Sequence, residues 1–411
     1  MTDLDPSGPD GVRVRRRCVA YLSGFDPSGP SHYHKLYREQ AALQSGVTGD
    51  RVEVGPRTRR AEHVAQWTVA FTPAAGGETV QTEVRFWRWD DIIRAHWPRD
   101  GWRLAADIAR TSALNVANGA AWRMLKLSWP PWIALFAPGA LLFAVAVVAP
   151  LLALALAWAL HRASGSFTLA ASALALPVAA AWLGRRLEAR LHMQWLMRSF
   201  AFTAHQAAGR TPALDERLDG FAAELVDSAR DGGFDEILLV GHSSGAIMAL
   251  SVLARALQRD PALTRRRTQL SLLTLGHCTP MLSSLPRATR FRDELAQVGR
   301  AAGVDWVDIA APPDGCCFAL CEPLAAAGLP PAPRADHPKL LSPRFAALFS
   351  PARYAEVRRD RFRLHFQYLM ASELPGVYDY TAITAGPQTL KQRFASQPSV
   401  TDFTQFRRFG R

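Results

Sequence analysis

A serine between two glycines is the part of this sequence best suited to covalent chemistry. The apolar run 237–240 ends at Gly241-His-Ser-Ser-Gly245, and small and apolar residues at helical spacing follow directly. A strand, a tight turn and a helix in this order lift a serine hydroxyl above a sheet edge, and the flanking glycines leave room for the turn. The pattern predicts that Ser243 is a nucleophile. The alternative is an ordinary strand-to-helix turn in which Ser243 caps the helix.

A serine nucleophile needs a carboxylate that orients its base. Residues 304–310 alternate as a strand does, and Asp314 follows in a loop rich in proline and glycine. This places Asp314 at the carboxyl ends of the strands, the edge where Ser243 must also lie. We therefore predict that Asp314 is the acid, although an aspartate before glycine also forms turns. Asp305 and Asp308, inside the strand, are weaker candidates.

The base is expected to be a histidine, whose neutral imidazole can take the serine proton. His365, in the aromatic-rich segment Arg363-Leu-His-Phe-Gln-Tyr368, is the preferred candidate. His337 is the alternative, but it follows the acid closely in a proline-rich loop. His242 is expected to point away from the site and pack, whereas His277 follows a strand end and could touch the pocket. Tyr368 is interpreted mainly as a core residue that could also support His365.

Two backbone N–H groups are predicted to hold a developing oxyanion. The first belongs to Ser244, at the start of the helix, where unpaired N–H groups and the helix dipole favour negative charge. The second is assigned to Phe25, in the turn-rich loop 24–30 between a predicted strand at 13–23 and a predicted helix at 32–44. The other interpretation of this loop is a simple strand-to-helix connection.

These motifs resemble the α/β-hydrolase superfamily over residues 13–94 and 195–372. The residues that carry the resemblance are Gly241-His-Ser-Ser-Gly245, Gly24-Phe25, Asp314 and His365. Their order is similar to that in lipases, esterases and thioesterases, which implies a Ser-His-Asp triad and an acyl-enzyme. The chain departs from the family pattern in two places: an apolar segment interrupts the fold before the serine motif, and the oxyanion loop lacks a His-Gly-Gly-Gly run.

The interrupting segment is long and apolar enough to cross a membrane twice. Residues 127–160 and 163–184 contain no charged side chain, and a span needs about 20 apolar residues. Because only residues 161–162 separate the two runs, they predict an antiparallel transmembrane hairpin with helices at about 132–160 and 165–184. The alternative is a buried helical hairpin in a soluble lid.

The charges that flank the hairpin predict its orientation. Basic residues lie on both outer flanks and one lies in the link: Arg123, Lys126, Arg185, Arg186 and Arg190 outside, Arg162 between. The positive-inside rule then places the catalytic domain and both termini in the cytoplasm. We expect an integral, two-pass membrane protein.

The elements that position the candidate site form an α/β domain in two parts. The repeated strand-then-helix succession after residue 213 predicts a doubly wound, mostly parallel sheet of α/β-hydrolase type. Strands are also predicted at 66–72 and 80–89, and an amphipathic helix at 103–126. The predicted organisation is a disordered N-terminus at 1–12, the first part of the hydrolase domain at 13–126, the hairpin at 127–184, the second part at 185–375 and a C-terminal tail at 376–411.

Composition narrows the class of partner. The net charge is +12, but the basic residues are spread along the chain without a nucleic-acid-binding motif, so no nucleic acid is predicted. The five cysteines form no C-x-x-C pair, and neither a metal nor an organic cofactor is predicted. The expected partners are the lipid bilayer and a small-molecule or lipid acyl substrate.

Together these features predict a membrane-anchored serine hydrolase that cleaves an acyl ester or thioester. The alternatives are an acyltransferase on the same fold and a non-catalytic membrane scaffold with a hydrolase-like domain.

Overall fold

A computed structural model describes residues 13–97, 100–191, 193–403 and 405 of the 411-residue chain. The predicted disordered N-terminus, residues 1–12, lies outside the described residues. In the described part, nine strands form one sheet: β1 Arg16–Leu22, β2 Arg51–Val54, β3 Thr58–Ala61, β4 Val64–Thr72, β5 Val80–Trp87, β6 Glu236–His242, β7 Gln269–Leu275, β8 Val304–Ile309 and β9 Lys339–Leu341.

The sheet is mixed but mostly parallel. The strand order is β2-β4-β5-β1-β6-β7-β8-β9, and β3 also pairs with β4. The strands from β5 to β9 in this order all run parallel, whereas β4 is antiparallel to β2, β3 and β5. The α/β class and the mostly parallel sheet predicted from the sequence are confirmed.

Helices connect the strands and also form the apolar interruption. The α-helices in the described residues are α1 Pro30–Thr48, α2 Asp90–Ala95, α3 Gly101–Ala117, α4 Ala120–Leu127, α5 Trp129–Phe143, α6 Ala149–Ser164, α7 Phe167–Ala171, α8 Ala175–Leu191, α9 Met193–Ala207, α10 Pro212–Arg230, α11 Gly245–Arg259, α12 Thr279–Ser283, α13 Thr289–Arg300, α14 Pro323–Ala326, α15 Pro351–Arg359, α16 Arg361–Phe366, α17 Tyr380–Ala385 and α18 Leu390–Arg393. A π-helical turn, Ala144–Val148, joins α5 to α6.

Both faces of the sheet are covered by other elements, and successive side chains of β1 point alternately into the two cores. Ala20 and Leu22 belong to a core shared with α10, α11 and α13. Val19 and Tyr21 point to the other face, into a second core with α1 and the C-terminal segment. Successive side chains of a strand point to opposite faces, so one apolar strand serves both cores. β1 and its neighbour β6 are therefore buried at the centre of the molecule.

Two helical stretches are long and apolar enough to cross a membrane. They comprise 36 residues at Trp129–Ser164 and 21 residues at Phe167–Leu187, and few of their side chains are buried by the protein itself. The first stretch begins inside the folded body. A Cβ at Gly139 would lie 2.9 Å from the Ser112 hydroxyl, so α5 packs closely on α3 before the chain leaves the body.

The region predicted as one amphipathic helix, residues 103–126, is instead two helices. They are α3 and α4, and the break lies at Gly119, whose φ of 75° is left-handed. Glycine adopts this conformation without the steric penalty of a Cβ, so the chain turns there and α4 can lead into α5.

The segment predicted as a C-terminal tail, residues 376–411, is folded over much of its described length. Tyr378, Ile383, Leu390 and Phe394 are buried in the core on the α1 side of the sheet. Polar residues, glycine and proline separate these apolar side chains in the sequence, so no helical or strand period reveals them. The assignment of the whole segment as a tail is therefore corrected for residues 376–394.

Candidate active site

Ser243 lies in the turn between β6 and α11 with a backbone conformation that is rare for serine. Its φ is 59°, in the left-handed region. A Cβ at Gly241 would lie 2.5 Å from the Gly245 carbonyl oxygen, and a Cβ at Gly245 would lie 2.2 Å from the Leu22 carbonyl oxygen. Both glycines are therefore required by close backbone approach, as the sequence pattern predicts. The tight turn leaves Ser243 at the end of the strand with its hydroxyl facing a cavity.

Neighbouring strand ends bring the other candidate residues to the same edge. The Ser243 N–H donates to the Leu275 carbonyl at the end of β7 at 2.8 Å, and the Gly276 N–H donates to the Ile309 carbonyl at the end of β8 at 2.9 Å. The loop that contains Asp314 starts directly after β8. This juxtaposition follows from the parallel pairing of β6, β7 and β8.

Ser243, His365 and Asp314 form one chain of hydrogen bonds. Ser243 Oγ lies 2.9 Å from His365 Nε2, and His365 Nδ1 lies 2.8 Å from Asp314 Oδ2. Because a carboxylate accepts hydrogen bonds, Nδ1 carries the proton, and the lone pair of a neutral ring lies on Nε2. That lone pair faces the Ser243 hydroxyl. The arrangement is suited to removing the serine proton.

Asp314 is held as a charged acceptor by three groups. Its Oδ1 accepts from the Cys316 N–H at 3.0 Å, and its Oδ2 accepts from the Tyr368 hydroxyl at 3.1 Å as well as from His365. Burial alone would raise the pKa of Asp314, but His365 and the donated hydrogen bonds outweigh it and lower that pKa. Asp314 is therefore ionised at neutral pH, although only 1% of it is exposed.

Tyr368 contributes more to the site than its interpretation as a core residue suggests. Its hydroxyl accepts from the Ala311 N–H at 2.8 Å while it donates to Asp314. Burial raises the pKa of Tyr368 well above its usual value, so the hydroxyl stays protonated. Its spacing of three residues from His365 was an available signal, because residues three apart share one side of a helical turn.

His242 packs beneath the site, as its sequence position predicts. Its Nε2 lies 2.8 Å from the carbonyl oxygen of His365, and its ring centroid is 4.9 Å from that of His365. Burial, followed by the nearby His365, lowers the pKa of His242 to about 3. The ring is thus neutral and donates from Nε2, which fixes the backbone beneath His365.

The remaining candidates lie elsewhere. His337 Nε2 lies 3.2 Å from the Val298 carbonyl oxygen, and its ring packs against Trp306. His277 is fully buried, with Nε2 3.7 Å from Asp308 Oδ2, and does not line the cavity at Ser243. Asp305 pairs with Arg334 at 2.9 Å. His365 and Asp314 are therefore the candidates that hydrogen bonds connect to Ser243, whereas His337, His277 and Asp305 are not connected to it.

The two backbone amides predicted to bind the oxyanion differ in whether they already donate a hydrogen bond. The Phe25 N–H donates to the Ser244 hydroxyl at 2.9 Å. The Ser244 N–H has no hydrogen-bond partner within the described residues. A Cβ at Gly24 would lie 2.9 Å from the Ser243 Cβ, so only glycine lets the loop come this close to Ser243. Both amides border the cavity at Ser243, but only that of Ser244 is available without movement.

The cavity above Ser243 is small and partly walled by the apolar interruption. Its volume is about 20 Å³, enough for one water molecule. Pro131, Ala134 and Leu135 of α5 line one side, and Trp195 and Leu196 of α9 line another. The Trp195 indole N–H also donates to the Phe25 carbonyl. No sequence pattern signals these contacts, because they join segments that lie far apart along the chain.

Cys278 is a second neighbour of Ser243. Its Sγ lies 3.6 Å from Ser243 Oγ and 3.3 Å from the Cys316 carbonyl oxygen. Burial raises the pKa of Cys278 to about 12, so it remains a thiol. Its place just past β7, at the active edge of the sheet, was the signal available in the sequence.

One group of side chains near the site has the geometry to approach a metal ion. Within the described residues, Asp314, Cys316 and His365 each bring one ligand atom within 4.8 Å of the others. Burial raises the pKa of Cys316 well above its usual value, which disfavours the thiolate that a metal requires. The donor set therefore fits the hydrogen-bonded chain better than a metal centre.

Comparisons with known proteins add no assignment to this geometry. No protein-family model, no curated protein and no solved structure matches the chain.

Proposed function

We propose that the chain is a membrane-anchored serine hydrolase of the α/β-hydrolase superfamily that cleaves an acyl ester or thioester. Its two apolar stretches would cross the bilayer as a hairpin, with the catalytic part and both termini in the cytoplasm. The observation that carries the proposal is the geometry at Ser243: a left-handed φ of 59° in a strand-to-helix turn, and a continuous hydrogen-bonded chain to His365 and Asp314. The order Ser, Asp, His along the sequence is that of the superfamily.

In this reaction Ser243 Oγ attacks the acyl carbon while its proton passes to His365 Nε2. The tetrahedral intermediate expels an alcohol or thiol, which takes that proton, and the acyl group stays on Ser243. Water then gives a proton to Nε2 and attacks the acyl ester, so that the acid is released and the serine hydroxyl is restored. Asp314 remains ionised, holds Nδ1 and stabilises the imidazolium form of His365.

The developing oxyanion would bind first to the Ser244 N–H, for which the described part of the chain supplies no acceptor. The Phe25 N–H becomes a second donor when the Ser244 hydroxyl rotates away from it. Each such donor lowers the barrier only if it points to the position of the oxyanion in the transition state. The hydrogen bond from the Phe25 N–H to the Ser244 hydroxyl therefore belongs to the substrate-free state. Substrate binding would replace it with a hydrogen bond from the Phe25 N–H to the oxyanion.

The cavity walls support an amphiphilic substrate. Side chains of α5, the helix that continues into the bilayer, lie on one side of the cavity at Ser243, so an acyl chain would reach the serine along an apolar surface. An acyl group cannot fit in about 20 Å³. Substrate entry therefore requires α5 and α9 to separate.

The test is labelling of the full-length protein in detergent with fluorophosphonates of increasing alkyl length. We expect wild type to be labelled and Ser243→Ala and His365→Ala to lose labelling. Ser31→Ala, which changes an exposed serine on α1, is the matched control and is expected to label as wild type does. A folded wild type that no probe labels would refute the hydrolase and favour a non-catalytic scaffold.

Product analysis then separates hydrolysis from acyl transfer. An active ester is supplied with and without a long-chain alcohol, and the released acid is compared with the new ester. We expect the acid to predominate. A new ester as the main product would assign the chain to acyltransferases, with Ser243, His365 and Asp314 in the same roles.

A further inference from the structure

A groove on the opposite side of α9 from Ser243 is a second candidate binding site. It lies between α3, the end of α9 and the segment 285–287, and its volume is about 440 Å³. None of the residues that line it lines the cavity at Ser243. Its properties are therefore separate from the proposed catalytic function.

Three arginines give this groove its charge. Arg110, Arg210 and Arg287 are exposed at its rim, and within the described part of the chain none of them has a carboxylate within 4.0 Å. Asp107 is the one acid among the lining residues. Arg255 and Arg334, which line other pockets, each pair with a carboxylate. Three guanidinium groups around one groove, none paired with a carboxylate of the described residues, favour an anionic ligand, since guanidinium binds phosphate through paired hydrogen bonds.

A buried amide in the same groove points to a ligand that also donates a hydrogen bond. Asn115 is 1% exposed, and its Nδ2 donates to the Thr111 carbonyl at 2.7 Å. Its Oδ1 is buried and has no partner among the described residues. A buried acceptor left without a donor costs about 1–3 kcal/mol, so a ligand hydroxyl that reached it through a small movement of the groove wall would be favoured.

His205, which also lines the groove, is affected by the nearby arginine charge. Burial, followed by the charge of Arg210, lowers the pKa of His205, and Asp107 only partly offsets this. The ring is therefore neutral at pH 7 and does not add to the positive charge. The cationic character of the groove comes from its arginines.

The groove lies close to the place where the two long apolar stretches extend away from the α/β domain. Leu104, at the start of α3, packs with Leu141 and Leu142 of α5. Arg110 follows Leu104 by six residues, about 9 Å along the helix at 1.5 Å per residue. The headgroup layer of a bilayer is about 5–8 Å thick on each side. The Arg110 backbone would thus lie just outside the headgroup layer, from where its side chain can reach the lipid phosphates.

We propose that this groove binds a phosphate ester that carries a neighbouring hydroxyl, of which glycerol phosphate is the simplest example. The three guanidinium groups would hold the phosphate, and Asn115 Oδ1 would accept from the hydroxyl. The same chemistry is offered by a phosphatidylglycerol headgroup in the bilayer and by free glycerol phosphate in solution.

The test measures equilibrium binding of radiolabelled glycerol phosphate to the full-length protein in phosphatidylcholine nanodiscs. Unlabelled inorganic phosphate and dihexanoyl phosphatidylglycerol, used as a dissolved monomer, serve as competitors. We expect Arg110→Gln, Arg210→Gln and Arg287→Gln each to weaken binding at least about tenfold, because each removes a charge-assisted contact. Arg186→Gln, which removes a charge beside the apolar helices but outside the groove, is the matched control and should change binding less than about twofold.

Asn115→Leu tests the hydroxyl contact separately from folding. It should weaken glycerol phosphate but not inorganic phosphate, so that the preference between the two disappears. A merely structural asparagine would weaken both equally or neither. Because the three arginines are exposed, their substitution leaves the fold intact and keeps the charge test valid.

The competitor results distinguish the two sources of the ligand. Tighter binding of dihexanoyl phosphatidylglycerol than of glycerol phosphate supports a lipid headgroup, and equal or weaker binding supports a soluble phosphate ester. The proposal is overturned if no saturable binding occurs up to about 10 mM, or if the groove variants bind as Arg186→Gln does. Fluorophosphonate labelling of Ser243 is measured on the same samples, so failure of this site is distinguishable from failure of the proposed hydrolase.

Discussion

Replacing Asp314 by asparagine tests whether this carboxylate sets the tautomer of His365. The side chain keeps its size, but one of its two acceptor oxygens becomes an NH2 donor. If the amide oxygen takes the Oδ1 position, it accepts from the Cys316 N–H, a backbone donor that cannot rotate. The NH2 then faces His365 Nδ1, which must give up its proton, and the proton moves to Nε2. Ser243 would then face a donor instead of a base.

The opposite amide orientation keeps the active tautomer at a calculable cost. It turns the NH2 toward the Cys316 N–H, so two buried donors face each other, and each unpaired donor costs about 1–3 kcal/mol. The inactive orientation is thus favoured by about 2–6 kcal/mol, which leaves an active fraction between about 1/30 and 1/20,000. Tyr368 can accept from the new NH2 once its hydroxyl proton turns away from residue 314, and Cys317 Sγ, 3.7 Å from that hydroxyl, is the neighbouring acceptor.

The assay is the pseudo-first-order rate of fluorophosphonate labelling at pH 7.5, with folding checked by circular dichroism and thermal unfolding. Asp308→Asn is the matched control: it changes a fully buried aspartate in β8 that has no contact with Ser243 or His365. We expect its rate to stay within about threefold of wild type. A folded Asp314→Asn protein that labels at more than a tenth of the wild-type rate would refute the tautomer argument.

Three further predictions concern the framework of the site. Gly245→Ala should lower the free energy of unfolding by about 1–3 kcal/mol and abolish labelling, since the new Cβ meets backbone carbonyls at the end of β1. Gly220→Ala is the control: its Cβ meets nothing within 4 Å, so it should raise the free energy of unfolding by about 0.5–1 kcal/mol. Equal effects of the two substitutions would contradict the steric argument. His242 has an ordinary pKa of 6.5 when unfolded and about 3 when folded, so the unfolded state binds its proton first as the pH falls. Stability should therefore decline by up to about 1.4 kcal/mol per pH unit between pH 6.5 and about 3. In His242→Gln the free energy of unfolding should fall less steeply with decreasing pH, by the contribution of this histidine. Urea unfolding series at several pH values measure both slopes, and identical slopes in wild type and variant would rule out this contribution. Arg17→Met should cost about 3–5 kcal/mol in urea unfolding, because it leaves the fully buried Glu236 without its cation; a loss under 1 kcal/mol would disprove the importance of that pair.

The sequence identified the parts of the site that lie within single continuous segments. The glycines at 241 and 245 are required by local backbone geometry, and the apolar run before them forms a strand whatever its partners. The position of Asp314 followed from a topological rule, since parallel strands share their carboxyl edge. Strand-like alternation and apolar length likewise identified the β4–β5 hairpin and the two long apolar stretches.

Interactions between distant segments were not accessible from the pattern. Arg17 binds the Gly386 carbonyl and Glu236, which secures residues that look like a polar tail. β2, β3 and β9 are too short to show a period, and the break at Gly119 depends on a left-handed turn inside an apparently continuous amphipathic pattern.

The sequence by itself determined the strand–turn–helix at Ser243, the α/β class and two stretches apolar enough for a membrane, because each depends on local sterics or on the period of side chains along one element. Only the tertiary structure decided that His365 and not His337 reaches Ser243, that Phe25 donates to Ser244, and that α5 walls the cavity. These outcomes depend on how buried polar groups find partners across the whole fold, and a sequence pattern carries no information about such distant pairing.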